Sequence, residues 1–451
     1  MGFQQGLSGL NASSKQLDVI GNNIANANTV GFKQAQTQFA DVYANSLSGA
    51  AANTAGIGVR VADVAQQFTQ GNISSSNNPL DIAINGNGFF RMNTNGAITY
   101  SRNGQFQLDK NGYITNSNNS QLTGYVADVN GVLSTGAAAP ININTSDIAP
   151  AQTKVTNAIM NLDSTENVPG TQLPVTTPPV ITPIAFDPAT PTSYNNATST
   201  TVYDSLGNSH VLQTFYVRVD PVTTPPATAG TIEWNVYATV DGNRFDAAGA
   251  LTPTGTAATP IGKLAFNNLG ALQSATPSFS ATSPEALKMI VPVSSGAVTP
   301  INTAAIAIKF DYTSTTQFGS TFSVSTMKQD GFASGKLSKF NTGKDGSIVG
   351  SYTNGQTKVL GQVVLASFTD PNGLQSLGGN QWAETAASGQ ALTGPPNSGS
   401  LGVLTSSSTE DSNTDLTGEL VNMITAQRIY QANAQTIKTQ DQVLQTLVNL
   451  R

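Results

Sequence analysis

The chain has 451 residues, of which only 10% are Asp, Glu, Lys or Arg, with 26 acidic against 20 basic residues. This length is typical of about three domains. No basic cluster is present, which argues against nucleic-acid binding, because that binding relies on counterion release. The absence of cysteine excludes disulfides and thiolate metal sites. No stretch approaches the roughly 20 apolar residues of a membrane span, so we expect no insertion into a membrane.

The first apolar pattern in the chain predicts an amphipathic helix. The stretch after it, from Gly21 to Lys33, is rich in Asn and Gly, which tolerate left-handed backbone and end helices. We therefore expect the helix to stop between Asn28 and Gly31. Its apolar residues recur every three or four positions, which places them on one face, the N-terminal seam. The N-terminal seam consists of Phe3, Leu7, Leu10, Leu17, Ile20 and Ile24.

A connector and then a β region follow. Residues 34 to 78 are rich in Ala, Gln, Ser and Gly, and periodicity does not decide whether the segment from Val59 to Phe68 is helix or strand. From Phe89 to Val132, short apolar alternation is broken by Asn-Gly pairs, which favour tight hairpin turns and predict antiparallel strands. These pairs are Asn95–Gly96, Asn103–Gly104, Asn111–Gly112 and Asn130–Gly131.

The spacing of Asp109, Asn111 and Gly112 superficially resembles a calcium-binding loop. Its glycine comes too early, and no glutamate closes a twelve-residue loop, so ordinary turn chemistry is the better interpretation.

The composition changes from about Asn157. Prolines cluster at Pro178–Pro179 and Pro225–Pro226, which predicts loops between strands. Four strand-like segments are rich in β-branched and aromatic residues: Val211 to Val219, Thr231 to Val240, Ala304 to Asp311, and Thr321 to Ser325. A second hairpin region follows, with turns at Lys344 to Gly346, Asn354–Gly355 and Asn372–Gly373.

The chain closes with a long predicted helix. Ser412 and Asp415 have capping-box spacing, so we expect the helix to start near Asn413 and to run roughly 55 Å, at about 1.5 Å per residue. An apolar stripe of this length needs a partner, and periodicity alone favours coiled-coil oligomerisation. The C-terminal seam consists of Leu416, Leu420, Met423, Tyr430, Ile437, Leu444 and Val448.

The sequence offers little for catalysis. His210 is the one histidine, and a turn-bonding or solvent-facing role is the better interpretation than a serine triad. Acidic residues are scattered singly, so metal ligation is unsupported. The sequence leaves open whether folding brings two carboxylates together, as glycoside hydrolysis requires. We predict no enzyme activity, no catalytic residue, no cofactor and no metal.

Several motifs resemble those of the axial proteins of the bacterial flagellum, the rod and hook family. Leu17 to Ile20, running into the Asn-rich stretch, resembles their N-terminal signature. Tyr203 to His210 resembles the outer-domain motif of the hook members, which the shorter rod members lack. The run from Gly378 to Trp382 resembles their middle domain, and the run from Leu416 to Asn433 resembles their C-terminal helix.

The resemblance implies a mainly β fold with long terminal α-helices, in a nested multi-domain arrangement. We expect a terminal helical coiled-coil domain with its connector (residues 1–72 and 407–451). We also expect a β-rich middle domain (73–156 and 328–406) and an inserted β-rich outer domain (157–327). A polar stripe on the last helix is then expected to face the lumen of a tube: Gln431, Gln435, Gln442, Gln445 and Asn449.

The implied function is mechanical. We expect a subunit of a flexible helical tube, a homopolymer that transmits motor torque from rod to filament. The resemblance implies four partners: the distal rod protein, the hook cap, the hook–filament junction protein and the flagellar export apparatus. No signal peptide is recognisable after Met1, so we expect extracellular location by export without cleavage. The alternatives are a distal rod protein, or a secreted β-rich adhesin or carbohydrate-active enzyme with oligomerising helices.

Overall fold

The computed structural model describes residues 2–42, 56–172, 181–219, 232–245, 251–252, 258–276, 288–293 and 306–449. It is mainly β with two long helices, α1 (Gly2–Ala25) and α2 (Leu416–Asn449), which confirms the mainly β prediction with terminal helices. Helix α1 ends three residues before the earliest predicted stop, and backbone hydrogen bonds within turns continue to Phe32. The predicted loops at Pro178–Pro179 and Pro225–Pro226 lie outside the described residues.

The strands fall into three stretches along the chain. The first contains β1 (Ala35–Val42), β2 (Gly58–Gln66), β3 (Ile73–Ser75), β4 (Ile82–Asn85), β5 (Phe89–Thr94), β6 (Ala97–Ser101), β7 (Gln107–Leu108), β8 (Ile114–Thr115), β9 (Gln121–Val126) and β10 (Ala139–Pro140). The second contains β11 (Val155–Asp163), β12 (Gly170–Gln172), β13 (Ile181–Pro183), β14 (Asn196–Tyr203), β15 (Ser209–Val219), β16 (Ile232–Val240), β17 (Asn243–Phe245), β18 (Leu251–Thr252), β19 (Gly262–Phe266), β20 (Leu272–Thr276), β21 (Lys288–Val293), β22 (Ile306–Asp311), β23 (Thr316–Phe318) and β24 (Ser323–Gln329). The third contains β25 (Leu337–Thr342), β26 (Ser347–Tyr352), β27 (Thr357–Val363), β28 (Leu365–Ser367), β29 (Gln375–Gly378), β30 (Gln381–Ala383), β31 (Leu392–Gly394), β32 (Val403–Ser406) and β33 (Ser408–Glu410).

The chain divides into two compact units. The first comprises Met1–Ser146, Leu337–Tyr352 and Gln356–Arg451, and the second comprises Asp147–Lys336 and Thr353–Gly355. The nested three-domain boundaries expected from the sequence remain a prediction, because a division into two units does not test them.

The first unit contains both helices, a 13-stranded sheet and three small antiparallel pairs. The main path of the sheet runs β25-β26-β27-β9-β5-β6-β30-β29. The segment around Val59, left open by periodicity, is strand β2, which pairs antiparallel with β1. Strand β3 pairs with β33, and β4 pairs with β32, so the segments before and after the sheet lie side by side. Large apolar side chains, among them Phe90, Met92 and Leu122, fill the buried core of this sheet.

The predicted turns differ in their chemistry. Asn95 and Gly96 both have positive φ, at 53° and 94°, as a two-residue hairpin turn between β5 and β6 requires. At Asp109, the carboxylate accepts hydrogen bonds from the backbone N–H groups of Asn111 and Tyr113, so this segment is a turn. The prediction for Asn103–Gly104 is wrong. Gly104 has no positive φ and is required because its backbone lies against the Ile82 carbonyl, which leaves no room for a Cβ atom.

The second unit contains a seven-stranded sheet, a five-stranded sheet and a small strand pair. In the seven-stranded sheet, β14, β15 and β16 are consecutive antiparallel neighbours. The described parts of the first three predicted strand segments lie in strands, and in the fourth the strand begins two residues later than expected, at Ser323. Trp234 and Tyr216 are the largest of the buried side chains that form the core of this unit.

Candidate assembly surface

The two helices pack against each other in antiparallel orientation. Gly6 of α1 faces Ile437 of α2, and Gly9 faces Asn433, so the order of contacts reverses between the helices. A Cβ atom on Gly6 would lie 2.9 Å from Cγ1 of Ile437, and one on Gly9 would lie 2.8 Å from the Asn433 side chain. The two glycines therefore permit a close approach of α1 to α2 that any larger residue would oppose.

The strand pair β1–β2 packs beside α1, and polar side chains fix it there. Asn23, which is 1% exposed, donates to the carbonyl of Ala35 at 2.8 Å and accepts from the same residue's N–H at 3.0 Å. Ser8 Oγ accepts from the N–H of Val59 at 3.3 Å. Asn23 satisfies both backbone groups at the start of β1, which accounts for one Asn of the Asn-rich stretch.

The start of α2 is fixed by two side chains. Asp415 caps the helix, because its Oδ1 accepts from the N–H of Thr417 at 3.0 Å. Asn413 accepts from the N–H of Gln34 at 2.8 Å and donates to the carbonyl of Gln67 at 2.7 Å. The predicted start near Asn413 is therefore early, since α2 begins at Leu416.

The predicted capping box is also wrong in its residues. Ser412 Oγ accepts from the N–H of Thr414 and donates to that residue's hydroxyl, which places Ser412 in a turn before the helix. The sequence spacing allows either Ser412 or Asp415 to cap the helix, so only the backbone geometry shows which of the two is the capping residue.

A buried charge cluster lies beneath the helix start, and sequence reasoning missed it. Glu410 Oε1 accepts from Lys33 Nζ at 2.7 Å, and its Oε2 accepts from Arg102 Nη1 at 3.3 Å. The side chains of Lys33 and Glu410 are 0% exposed. Burial lowers the pKa of Lys33 and of Arg102, while the carboxylate of Glu410 acts in the opposite direction on both.

Backbone groups complete the environment of this cluster. Lys33 also donates to the carbonyl of Thr69 at 2.7 Å, and the N–H of Gly71 donates to Glu410 Oε1 at 2.9 Å. Arg102 donates to the carbonyl of Gly86 at 2.9 Å. Lys33 and Glu410 are 377 positions apart, so no local pattern indicates their pairing. The cluster joins the segment after α1, the central sheet and the segment before α2.

The residues of the predicted N-terminal seam differ in burial. Ile20 is buried, and Phe3 and Leu7 are each 45% exposed. Three are half-buried: Leu10, Leu17 and Ile24. The structure of the single chain therefore covers the end of α1 that leads into the Asn-rich stretch better than the end that begins the helix.

The predicted C-terminal seam is mostly uncovered. Ala426 is the buried residue of α2 within its described length. Three seam residues are half-buried: Met423, Tyr430 and Ile437. Four seam residues are exposed: Leu416, Leu420, Leu444 and Val448. Periodicity missed five further exposed apolar residues of α2: Val421, Ile424, Ile429, Val443 and Leu447.

The residues predicted to face a lumen are all exposed in the single chain. They are Gln431, Gln435, Gln442, Gln445 and Asn449. Gln445 donates to the carboxylate of Asp441 at 3.0 Å, one helical turn earlier. Exposure in a single chain does not distinguish a lumen from any other solvated face, so their assignment remains a prediction.

The motif from Tyr203 to His210 forms the turn between β14 and β15. Asp204 Oδ1 accepts from the N–H groups of Leu206 and Asn208, at 2.9 and 2.8 Å. Burial alone would raise the pKa of Asp204, but hydrogen bonds from Asn208, Leu206 and His210 hold it below its usual value. His210 lies 6% exposed, with Nδ1 2.8 Å from Oδ2 of Asp241, which is a turn-bonding role.

Two features of other protein classes are absent from the described ranges. Within those ranges, no group of three or more His, Cys, Asp and Glu side chains is arranged to hold a metal ion. Neither α1 nor α2, over its described length, has the combination of length and hydropathy that a membrane-spanning helix needs.

Four profiles of flagellar protein families match parts of the chain. A profile described as Flagella basal body rod protein matches residues 3–33, and Flagellar hook protein FlgE/F/G D1 domain matches 83–158. Flagellar basal body protein FlaE D2 domain matches 161–332, and Flagellar basal body rod FlgEFG protein C-terminal matches 405–450.

Relatives match over the whole length. The chain is 42% identical to the flagellar hook protein FlgE of Salmonella typhimurium and 40% identical to that of Escherichia coli, in each case over 100% of both chains. A crystal structure of Helicobacter pylori flagellar hook protein FlgE2 is similar to 73% of this chain and 98% of its own, with 13% identity and a TM-score of 0.49.

Proposed function

The chain belongs to the flagellar hook protein family and is a structural subunit of the flagellar hook, and we propose that its helix pair holds neighbouring subunits together in the hook polymer. Its full-length relatives are hook proteins, so the distal rod, adhesin and carbohydrate-active alternatives are not favoured. The observation that carries the proposal is the uncovered apolar surface of α2, where exposed leucines, isoleucines and valines lie in two groups, from Leu416 to Ile429 and from Val443 to Val448.

The energetic argument rests on burial. Fully burying a Leu or Ile side chain gains about 1.5–3 kcal/mol, so a side chain that is half exposed has roughly half of that gain still available. Leu420, Ile424 and Leu444 are 46–52% exposed in the single chain. Exposed apolar side chains grouped in this way on a soluble protein indicate an interaction surface. In a polymer of identical subunits, the neighbouring copies supply the missing contacts.

The same proposal covers the arrangement of the helices and the β-rich domains in the tube. We infer that the terminal helices form the inner part of a flexible tube, that the β-rich domains at 73–156 with 328–406 and at 157–327 lie outward, and that the tube bends while it transmits torque. The amide side chains from Gln431 to Asn449 line the lumen, where they bind a passing unfolded chain less strongly than charged or apolar groups would.

The family also suggests which proteins the chain contacts and how the chain is exported. We infer contacts with the distal rod protein, the hook cap and the hook–filament junction protein. We also infer export through the flagellar apparatus to the cell exterior without cleavage. Mass spectrometry of the exported protein tests the last point: an N-terminus tens of residues downstream of Met1 would contradict it.

The experiment for the central proposal is electron microscopy of concentrated purified protein. Wild-type protein should form tubes, and Leu420→Asp should not, because it would bury an unpaired charge in a subunit contact. Asn422→Asp is the matched control, since it adds the same charge at an exposed polar position of the same helix. Tubes formed normally by Leu420→Asp would contradict the proposal, as would loss of assembly in both variants with the β regions folded.

A further inference from the structure

One end of α2 extends beyond its partner helix. Because Gly6 faces Ile437 and α1 begins at Gly2, α1 reaches roughly one turn further, to about Asp441. Every residue from Asp441 to Asn449 is exposed. Within this end, Leu444, Leu447 and Val448 have the i, i+3, i+4 spacing of one helical face and are 51%, 59% and 73% exposed.

A groove lies elsewhere on the helix pair, where α1, α2 and the β1–β2 strands meet. It has a volume of about 460 Å³, within the range of pockets that hold drug-sized ligands. Its walls include Gly9 and Gln16 of α1, Phe39 and Val59 of the strands, and Ile429 of α2. Phe39 is 42% exposed although it is a large aromatic side chain, so the groove presents apolar surface that the described residues leave uncovered.

We propose that this groove receives the α2 end, residues 442–449, of a second copy of the chain. The proposal deepens the proposed function and rests on it. Neither the residues that line the groove nor residues 442–449 include a charged side chain, so docking strands no unpaired charge. An amphipathic helix in an apolar groove, anchored at i, i+3 and i+4, is a recurrent mode of recognition.

The same chain cannot supply the occupant while α2 stays helical. Asn433 lines the groove, and Val443 lies ten residues further along the helix, which corresponds to about 15 Å directed away from the groove. A homopolymer provides every groove with an identical free helix end. Each subunit would then donate one end and accept another, a head-to-tail contact that repeats along the polymer without closing on itself.

Cysteine crosslinking tests this contact, and the chain has no cysteine of its own. One preparation carries Phe39→Cys in the groove, and a second carries Val448→Cys at the helix end. The two are mixed, polymerised and oxidised mildly. We expect a disulfide-linked heterodimer in tubes but not in dilute monomer. Gln16→Cys provides a second groove position, because disulfides require Cβ atoms about 3.5–4.5 Å apart.

Val421→Cys replaces Val448→Cys in the matched control, since Val421 is also exposed on α2, at 60%, but lies far from the helix end. The heterodimer with Val448→Cys should exceed the control roughly tenfold, because docking raises the effective thiol concentration. Tubes in which neither groove variant exceeds the control would overturn the docking and leave the proposed function intact, as would a predominance of Val448→Cys homodimers. Wild-type protein that forms no tubes would overturn both.

Discussion

The helix α2 leaves most of its apolar residues exposed, whereas the strand β16 buries most of its apolar residues. Over 34 residues, α2 has one buried residue, whereas all but three of the nine residues of β16 are buried. Trp234 and Val236 in β16 are 0% exposed, while Leu447 in α2 is 59% exposed. The second unit thus completes its core within one chain, and the helix pair does not. This difference separates what folding of the chain achieves from what assembly must add.

The largest effect is expected at the buried cluster that joins the helices to the sheet. Glu410→Gln removes the carboxylate and leaves Lys33 and Arg102 as buried, unpaired cations. Breaking a buried pair in this way costs about 3–5 kcal/mol. Urea unfolding followed by Trp382 fluorescence, in a Trp234→Phe background, measures the loss in the first unit.

Glu384→Gln is the matched control for that variant. Glu384 is exposed and accepts a hydrogen bond from the Tyr100 hydroxyl, which an amide oxygen can also accept. We expect it to change the free energy of unfolding by less than about 1 kcal/mol. Equal losses in the two variants would show that the buried cluster contributes nothing particular to stability.

The second prediction concerns the helices themselves. In monomer, α1 and α2 should open more readily than the core of the second unit, because few of their side chains are buried. Ordering costs about 1–2 kcal/mol per residue in backbone entropy, which little burial offsets here. Polymerisation should slow amide hydrogen exchange in α2 on the order of 100-fold, equivalent to about 2.7 kcal/mol.

Mass spectrometry of monomer and of tubes after exchange in deuterated buffer measures this. Strand β16 serves as the internal reference, since its protection should be the same in both states. Equal protection of α2 in monomer and tubes would mean that the helix pair is already complete in a single chain, as the core of the second unit is.

Sequence reasoning recovered the parts of the fold that local chemistry determines. The β-rich segment from Val211 to Val219 and the turn at Asn95–Gly96 carry their own signals, namely apolar alternation and residues that accept positive φ. Strand β1 carried no such signal. Its sequence, Ala35 to Val42, mixes polar residues and alanines with one Phe and one Val and shows no regular apolar alternation, and its burial is intermediate or exposed throughout. Its strand form depends on pairing with β2 and on Asn23.

The candidate site was predictable in part for a related reason. Periodicity places Ile20, Leu7 and Leu444 on helix faces, but it does not say what covers each face, and their burial ranges from 5% to 51% exposed. The pairing of Lys33 with Glu410 depends on the folding of everything between them. No local sequence pattern marks these two residues, yet their pairing contributes strongly to stability. The two facts are compatible, since a buried charge needs only one well-placed partner.

A third prediction tests the acid sensitivity of the second unit. The pKa of Asp204 is held below its usual value, so its stabilising contribution is present above about pH 4 and is lost as the pH falls through the lowered value. Asp204→Asn should cost about 1.5 kcal/mol at neutral pH and flatten the acid side of the stability profile.

Unfolding followed by Trp234 fluorescence in a Trp382→Phe background isolates the second unit. Asp147→Asn, at an exposed position of the same unit, makes the same change in charge. An unchanged acid slope in Asp204→Asn, or an equal flattening in Asp147→Asn, would contradict this account of the turn.

The smallest effect separates helix propensity from helix packing. Gly21 and Gly6 both lie in α1, but a Cβ atom on Gly21 would meet nothing within 4 Å, whereas one on Gly6 would lie 2.9 Å from Ile437 Cγ1. Gly21→Ala should therefore stabilise α1 by about 0.5–1 kcal/mol.

Gly6→Ala should gain the same helix propensity, but its Cβ atom would clash with Ile437. The free-energy cost of that clash should offset the gain. Ile437→Ala removes the clashing atom, so in a double-mutant cycle Gly6→Ala should become stabilising when Ile437→Ala is also present. Circular dichroism of polymer during thermal dissociation measures each corner of the cycle. Equal gains from Gly21→Ala and Gly6→Ala in the wild-type background would mean that α1 and α2 do not approach closely at Gly6.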